Sequence, residues 1–143
     1  MDKTITGIVT WLKQWFYTKE EIDSAYADSG WKDVTFQTGY TNYGTTEHLQ
    51  YRKVGKLVEI RGVWKPTTTQ TATSTATTFA TIPEGYRPNV ENVYVLGHGS
   101  QLNKWSFRVT TGGLLQWERY STTSNNNMPS GAWMCTHIIY YTD

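Results

Sequence analysis

Apolar side chains near the start of the chain recur at three- and four-residue steps. Ile5, Ile8, Val9, Leu12, Trp15 and Phe16 fall on one stripe of a helix, while Lys3, Thr6, Lys13 and Gln14 point elsewhere. With Ile5 at a, Ile8 takes d, Leu12 a and Trp15 d, and Lys19 then breaks the repeat. Thr18 and Glu21 are spaced as a capping box, so a second short helix should begin at Lys19, with Tyr17 and Ile22 placed for a hydrophobic staple and Ser29–Gly30 to end it. A first helix of about four turns is marginal alone in water, so its stripe needs a cover. Either it folds back on its own chain or it meets copies of itself. The narrow seam favours copies, and the bulk of Trp15 and Phe16 argues against a tight two-stranded coil.

From Trp31 the pattern changes to short runs of Val, Ile, Thr, Tyr and Trp punctuated by Gly, Asn and Pro. Leu49–Lys53 and Leu57–Trp64 flank Val54-Gly55-Lys56 as a hairpin, in which Val58, Ile60 and Trp64 alternate against Glu59 and Arg61, and Gly62 suggests a bulge. Trp105–Thr110 and Leu114–Tyr120 flank Thr111-Gly112-Gly113 as a second, with Trp105, Phe107 and Val109 on one face. Val93–Leu96 reads as a short strand. Trp133–Tyr141 is apolar on both alternating sets, as expected of a central or interfacial strand. Thr fills eight of the twelve positions from Thr67 to Thr78, which reads as a polar strand or extended loop, and Phe79–Pro88 as a loop of fixed geometry. The expected fold is mainly β: residues 31–143 form an antiparallel sandwich head of jelly-roll type, favoured over a closed barrel, behind a helical stem and oligomerisation segment at 1–30.

Composition narrows the function classes. A chain of 143 residues holds one main core, and its net charge of +1, with signs interspersed, speaks against nucleic-acid and membrane-surface binding. No apolar run is long enough to cross a bilayer and no secretory leader is legible. Cys135 stands alone in an apolar run, so it is read as a buried inert thiol, with neither a disulfide framework nor a cysteine-based zinc site. His48, His98 and His137 show no metal-binding spacing, although a trimer axis could gather three copies of His98 or His137; no metal or cofactor is expected.

Seven Trp and ten Tyr combine apolar faces with polar handles, which suits a β core, subunit interfaces and sugar-binding surfaces alike. Sugar rings stack on aromatic faces while their hydroxyls need hydrogen-bonding partners. Three patches fit: Tyr40, Asn42 and Tyr43 in a Gly-bounded loop; Asn103, Lys104 and Trp105; and Trp117, Arg119 and Tyr120 leading to Ser124, Asn125, Asn126 and Asn127. Each aromatic has a core reading beside the contact reading, and the polar loop Ser121–Gly131 is the best contact candidate. A glycan hydrolase is the rival class. It needs paired carboxylates, and Asp33, Glu47, Glu59, Glu84, Glu91, Glu118 and Asp143 form no recognisable pair, so no enzyme is expected.

Gly30-Trp31 with Asp33-Val34, Tyr51–Gly55, Val58–Gly62, Ile82–Pro88 and Trp133–Thr142 together resemble the C-terminal head region of tailed-phage tail-fibre and receptor-binding proteins, and Phe16–Asp23 is similar to the helical segment leading into such heads. The resemblance implies a homotrimer on a virion, made in the host cytoplasm, that attaches to host cell-wall or surface saccharide beside other virion or baseplate subunits. A structural virion subunit without receptor binding is the alternative. The stem is short for a whole fibre, which implies either a piece of a longer protein or a small subunit on a larger particle.

Overall fold

The computed structural model describes residues 7–12, 16–121 and 126–143. Residues 7–12 form helix α1 and Lys19–Ala25 helix α2. The capping box is present: the Thr18 hydroxyl accepts the Glu21 N–H at 3.1 Å, and the Glu21 carboxylate accepts the Thr18 N–H at 2.7 Å, holding that carboxyl below its usual pKa. Tyr17 and Ile22, the expected staple, are both exposed. Helix α2 stops at Ala25, short of Ser29–Gly30, because the following backbone is drawn into the head. Gly55 N–H donates to Ala27 O, Ser29 N–H donates to Lys53 O, and Asp28 pairs with Arg52, whose guanidinium keeps the Asp28 carboxyl low.

Ten described strands follow: β1 Lys32–Asp33, β2 Thr35–Phe36, β3 Tyr40–Asn42, β4 Gln50–Val54, β5 Leu57–Pro66, β6 Thr77–Thr81, β7 Val93–Gly99, β8 Lys104–Val109, β9 Leu114–Ser121 and β10 Met134–Tyr141. The mainly β antiparallel head read from the sequence is present. Its layers are one continuous sheet in the order β1-β4-β5-β10-β7-β8-β9-β6-β2, with β3 on β5. β1 and β2 lie at opposite ends of that path, yet only Val34 separates them in sequence. The sheet therefore curls almost to a barrel whose ends are clasped by neighbouring residues.

Curling brings distant strands face to face. Trp64 on β5 stacks on Phe79 of β6 at 4.0 Å and meets Trp105 of β8 edge-on at 5.3 Å. All three are fully buried, and each side chain of this kind contributes about 1.5–3 kcal/mol through burial. Trp105, Phe107 and Val109 share one face as their alternation predicts, and that face is the inward one. The β4–β5 turn closes with Val54 opposite Leu57 and Gly55 at φ 58. Gly62 is not a bulge on the β5–β10 ladder, which runs in register through it. It is the point where β5 exchanges β4 for β3, and an added Cβ would lie 2.0 Å from the His48 carbonyl oxygen passing over it.

β10 is central, between β5 and β7. Met134, Thr136, Ile138 and Tyr140 face the core, and burial pushes the Tyr140 phenol pKa up, keeping it a donor to Tyr86 O at 2.6 Å. The opposite set is open in the single chain: Ile139 is 51% and Tyr141 71% exposed, and Tyr94 and Leu96 on the outer side of β7 are exposed as well. Cys135 is half-buried, and burial raises its thiol pKa.

Candidate functional site

The strands give the head two ends. A proximal end carries the Gly55–Lys56 turn, residues 111–113, the C-terminus and the entry of the stem; a distal end carries residues 67–76, 100–103 and 126–131. The distal end is built on a buried relay. Trp117 Nε1 donates to Tyr40 Oη at 3.0 Å, and Tyr40 donates to Gln70 Oε1 at 3.0 Å. Burial raises the Tyr40 phenol pKa, so it keeps the proton it donates.

Gln70 in turn exchanges backbone hydrogen bonds with Met128 at 2.9 Å in both directions. Asn127 Oδ1 accepts the Ala72 N–H, and the Ser130 hydroxyl donates to Thr67 O, both at 2.8 Å. The threonine-rich stretch is thus neither free loop nor regular strand before Thr77. It pairs with residues 126–131 to form a cap of hydroxyls and amides across the end of the sheet. Polar side chains supply these bonds where no ladder is available.

Arg119 lies at the rim of this cap. β8 pairs Lys104 with Ser121 and Ser106 with Glu118, so β9 holds one extra residue there. Arg119 takes φ 56, its N–H donates to Thr73 O at 3.0 Å, and its side chain is exposed. A bulge of this kind re-aims one side chain off the sheet. Beside it, Ser100–Asn103 forms a tight turn with Gln101 and Leu102 at φ 59 and 60 and Leu102 88% exposed. Asn103 and Tyr120 anchor it from below: the Asn103 amide donates to Ser100 O at 2.8 Å and the Tyr120 hydroxyl reaches the same oxygen at 3.4 Å. Half-buried Trp133, whose N–H donates to Ser100 Oγ, meets the His98 ring edge-on at 5.5 Å.

The expected contact residues therefore divide. Tyr40, Asn103, Trp105, Trp117 and Tyr120 are corrected to interior positions; their rings and amide support the distal surface and offer it no face. The Tyr40–Asn42 segment is a strand on β5, not a loop, and Asn42 Oδ1 is occupied by the Leu49 N–H at 2.8 Å. Tyr43 is exposed on the sheet exterior with Lys65 over its ring. Arg119 and Asn126 reach solvent at the distal end, and Asn125 lies outside the described residues. Trp133 and His98 were missed as a pair because neither carries a motif; the outward set of the Trp133–Tyr141 run was the only signal for Trp133, and none marked His98 on β7 as its neighbour. Of the stem stripe, Ile8, Val9, Leu12 and Phe16 are exposed, none of them buried on this chain's own head, and Ile5 and Trp15 lie outside the described residues.

Among the described residues no three His, Cys, Asp or Glu side chains gather to hold a metal, and no helix is long and apolar enough to cross a membrane. No protein-family profile matches the sequence, and no curated protein matches it at a significant level. Solved structures do match. The receptor binding protein (gp15) of Listeria phage PSA superimposes with a TM-score of 0.60 at 16% identity, covering 100% of this chain and 98% of that one. The fold is that of phage receptor-binding heads. The head domain of lactococcal phage bIL170 matches with a TM-score of 0.57 at 17% identity over 79% of this chain and 97% of its own. The head of this chain shares their architecture at 16–17% identity, so its chemistry is read from its own side chains.

Proposed function

We propose that the chain is a virion receptor-binding protein that attaches to host cell-surface saccharide through the distal end of its head, as a homotrimer carried in a phage tail or baseplate. The single observation that supports this most is the end-to-end fold likeness to the receptor binding protein of Listeria phage PSA. The distal end supplies suitable chemistry: Arg119 and Asn126 at the rim, the Thr and Asn cap, and Trp133 beside His98 as a partly open aromatic face. Each site is small and polar, so copies acting together supply avidity that one lacks. The open stripe of the stem and the apolar outer edge at Tyr94, Leu96, Ile139 and Tyr141 are surfaces that a second and third copy would cover.

Fluorescently labelled full-length protein mixed with candidate host cells tests the reading, alongside its mass in solution. Saturable cell binding by a species of three chains is the expected result, with binding lost in R119A and W133A at unchanged circular dichroism. A well-folded protein of trimer mass that binds no host cell points to a structural virion subunit, and release of reducing sugar from cell walls points to a hydrolase; either result overturns the proposal.

A further inference from the structure

The outer face of the sheet carries charges at matching positions on two flanks. Val63 on β5, Cys135 on β10, His98 on β7 and Lys104 on β8 form one continuous row across four strands. Two residues from that row toward the proximal end, β5 carries Arg61, while β8 carries Ser106 with Glu118 of β9 directly opposite it. Four residues from the row, β5 carries Glu59 and β8 carries Arg108. Each of these charged residues follows a buried one, Ile60, Trp117, Val58 or Phe107, so all four lie on the outside. Toward the proximal end the β5 flank is therefore positive then negative, and the β8–β9 flank negative then positive. Between the flanks, the outer sides of β10 and β7 expose Ile139, Tyr94 and Leu96.

These charges are held in place without being neutralised. Arg61 stacks over the Trp31 ring at 3.9 Å, and Arg108 Nε donates to Gln116 Oε1 at 2.8 Å. Arg61, Arg108 and Glu118 form no ion pair with any described residue, and Glu59 meets only His137 Nε2, at 3.1 Å, an ion pair only when that ring is protonated. Opposite signs at matching positions on either side of an apolar strip make the surface complementary to itself. Two arrangements of copies satisfy it. With strands parallel, Arg61 meets Glu118 and Glu59 meets Arg108 of the next copy. With one copy turned end over end, Glu59 meets Arg61 of a second β5, and Arg108 meets Glu118.

We propose that the homotrimer closes as a heterologous ring about an axis along these strands, the β5 flank of each copy on the β8–β9 flank of the next, with Arg61 paired to Glu118 and Glu59 to Arg108 at every boundary. The trimer rests on the reading above; the choice of flanks and pairs does not. The parallel arrangement keeps all the stems, whose apolar stripe is also open, at one end, where the inverted one sends them to opposite ends. A heterologous contact repeated around a closing rotation occupies both flanks of every copy.

Sedimentation equilibrium of the full chain at constant ionic strength tests the pairing on wild type, R61E, E118R and the double reversal R61E/E118R. Wild type should have the mass of three chains. Each single reversal sets like charges against each other at three boundaries and should raise the concentration for half-assembly by at least about tenfold. R61E/E118R should return it toward wild type, because opposite charges meet again. Far-ultraviolet circular dichroism should match wild type throughout, so that lost mass is not lost fold. Single reversals without effect, no recovery in R61E/E118R, or a wild-type mass for E59R/R61E, which the inverted arrangement predicts, each overturn the proposal. Host-cell binding, scored separately, keeps the two readings apart: attachment by a three-chain species whose mass ignores these variants defeats the pairing and leaves the adhesin, and a ring that responds as expected but attaches to no cell does the reverse.

Discussion

Tyr40 and Arg119 show how differently two residues proposed for the same role can behave. The Tyr40 hydroxyl both accepts from Trp117 and donates to Gln70, and Trp117 is 1% exposed, so its Nε1 has no water to turn to. Y40F should cost about 1–3 kcal/mol in chemical denaturation, the usual penalty for stranding a buried donor. It should also loosen the 67–76 cap, seen as faster amide exchange at Gln70 and Met128. Arg119 is the opposite case, an exposed residue in the left-handed region. R119G removes that strain and should leave stability unchanged or raise it by about 1 kcal/mol, while cell attachment falls. A purely structural Arg119 would move both readings together.

At the scale of elements, Gly62 governs how β3 and β4 share β5. Its φ is 135, and the His48 oxygen lies 2.0 Å from the place an added Cβ would take, which leaves no room for a side chain. G62A should lower stability by about 3 kcal/mol or more, measured by denaturant midpoint, because backbone and not a flexible side chain must yield. The hairpins, the capping box and the shared face of Trp105, Phe107 and Val109 were legible because they are written locally, in turn residues and period-two alternation. Alternation gives two faces but not which one is inside, and that ambiguity let Trp105 and Trp117 stand as contact candidates. The pairing of 67–76 with 126–131 was illegible: its bonds run between Thr, Asn and Ser side chains and backbone, and between the Gln70 and Met128 backbones, some sixty residues apart, with no apolar period to mark them. Two-residue strands such as β1 and β2 have no period at all.

For the whole molecule, the outside of β7 and β10 is the surface where the copies of the proposed homotrimer would meet. Leu96 is 72% and Ile139 51% exposed, and a doubly apolar central strand is the sequence signal that anticipated a cover for this side. Because these side chains are exposed in the single chain, the pair L96E/I139E should leave the fold and its far-ultraviolet spectrum intact, while in the proposed homotrimer sedimentation should show a drop in mass from three chains toward one. Cell attachment should then fall far more than single-site saccharide affinity, since only the number of linked sites has changed.

The seam at Val34 has a mechanical consequence. A tether pulling on α2 reaches the head first at the Asp28–Val54 bridge, then at the two residue pairs of β1 with β4, and only then at Val34. In the proposed adhesin, tension from a bound cell would thus peel short clasps one after another at the hoop's own fastening, and the aromatic interior would feel the load only after the ring had begun to open.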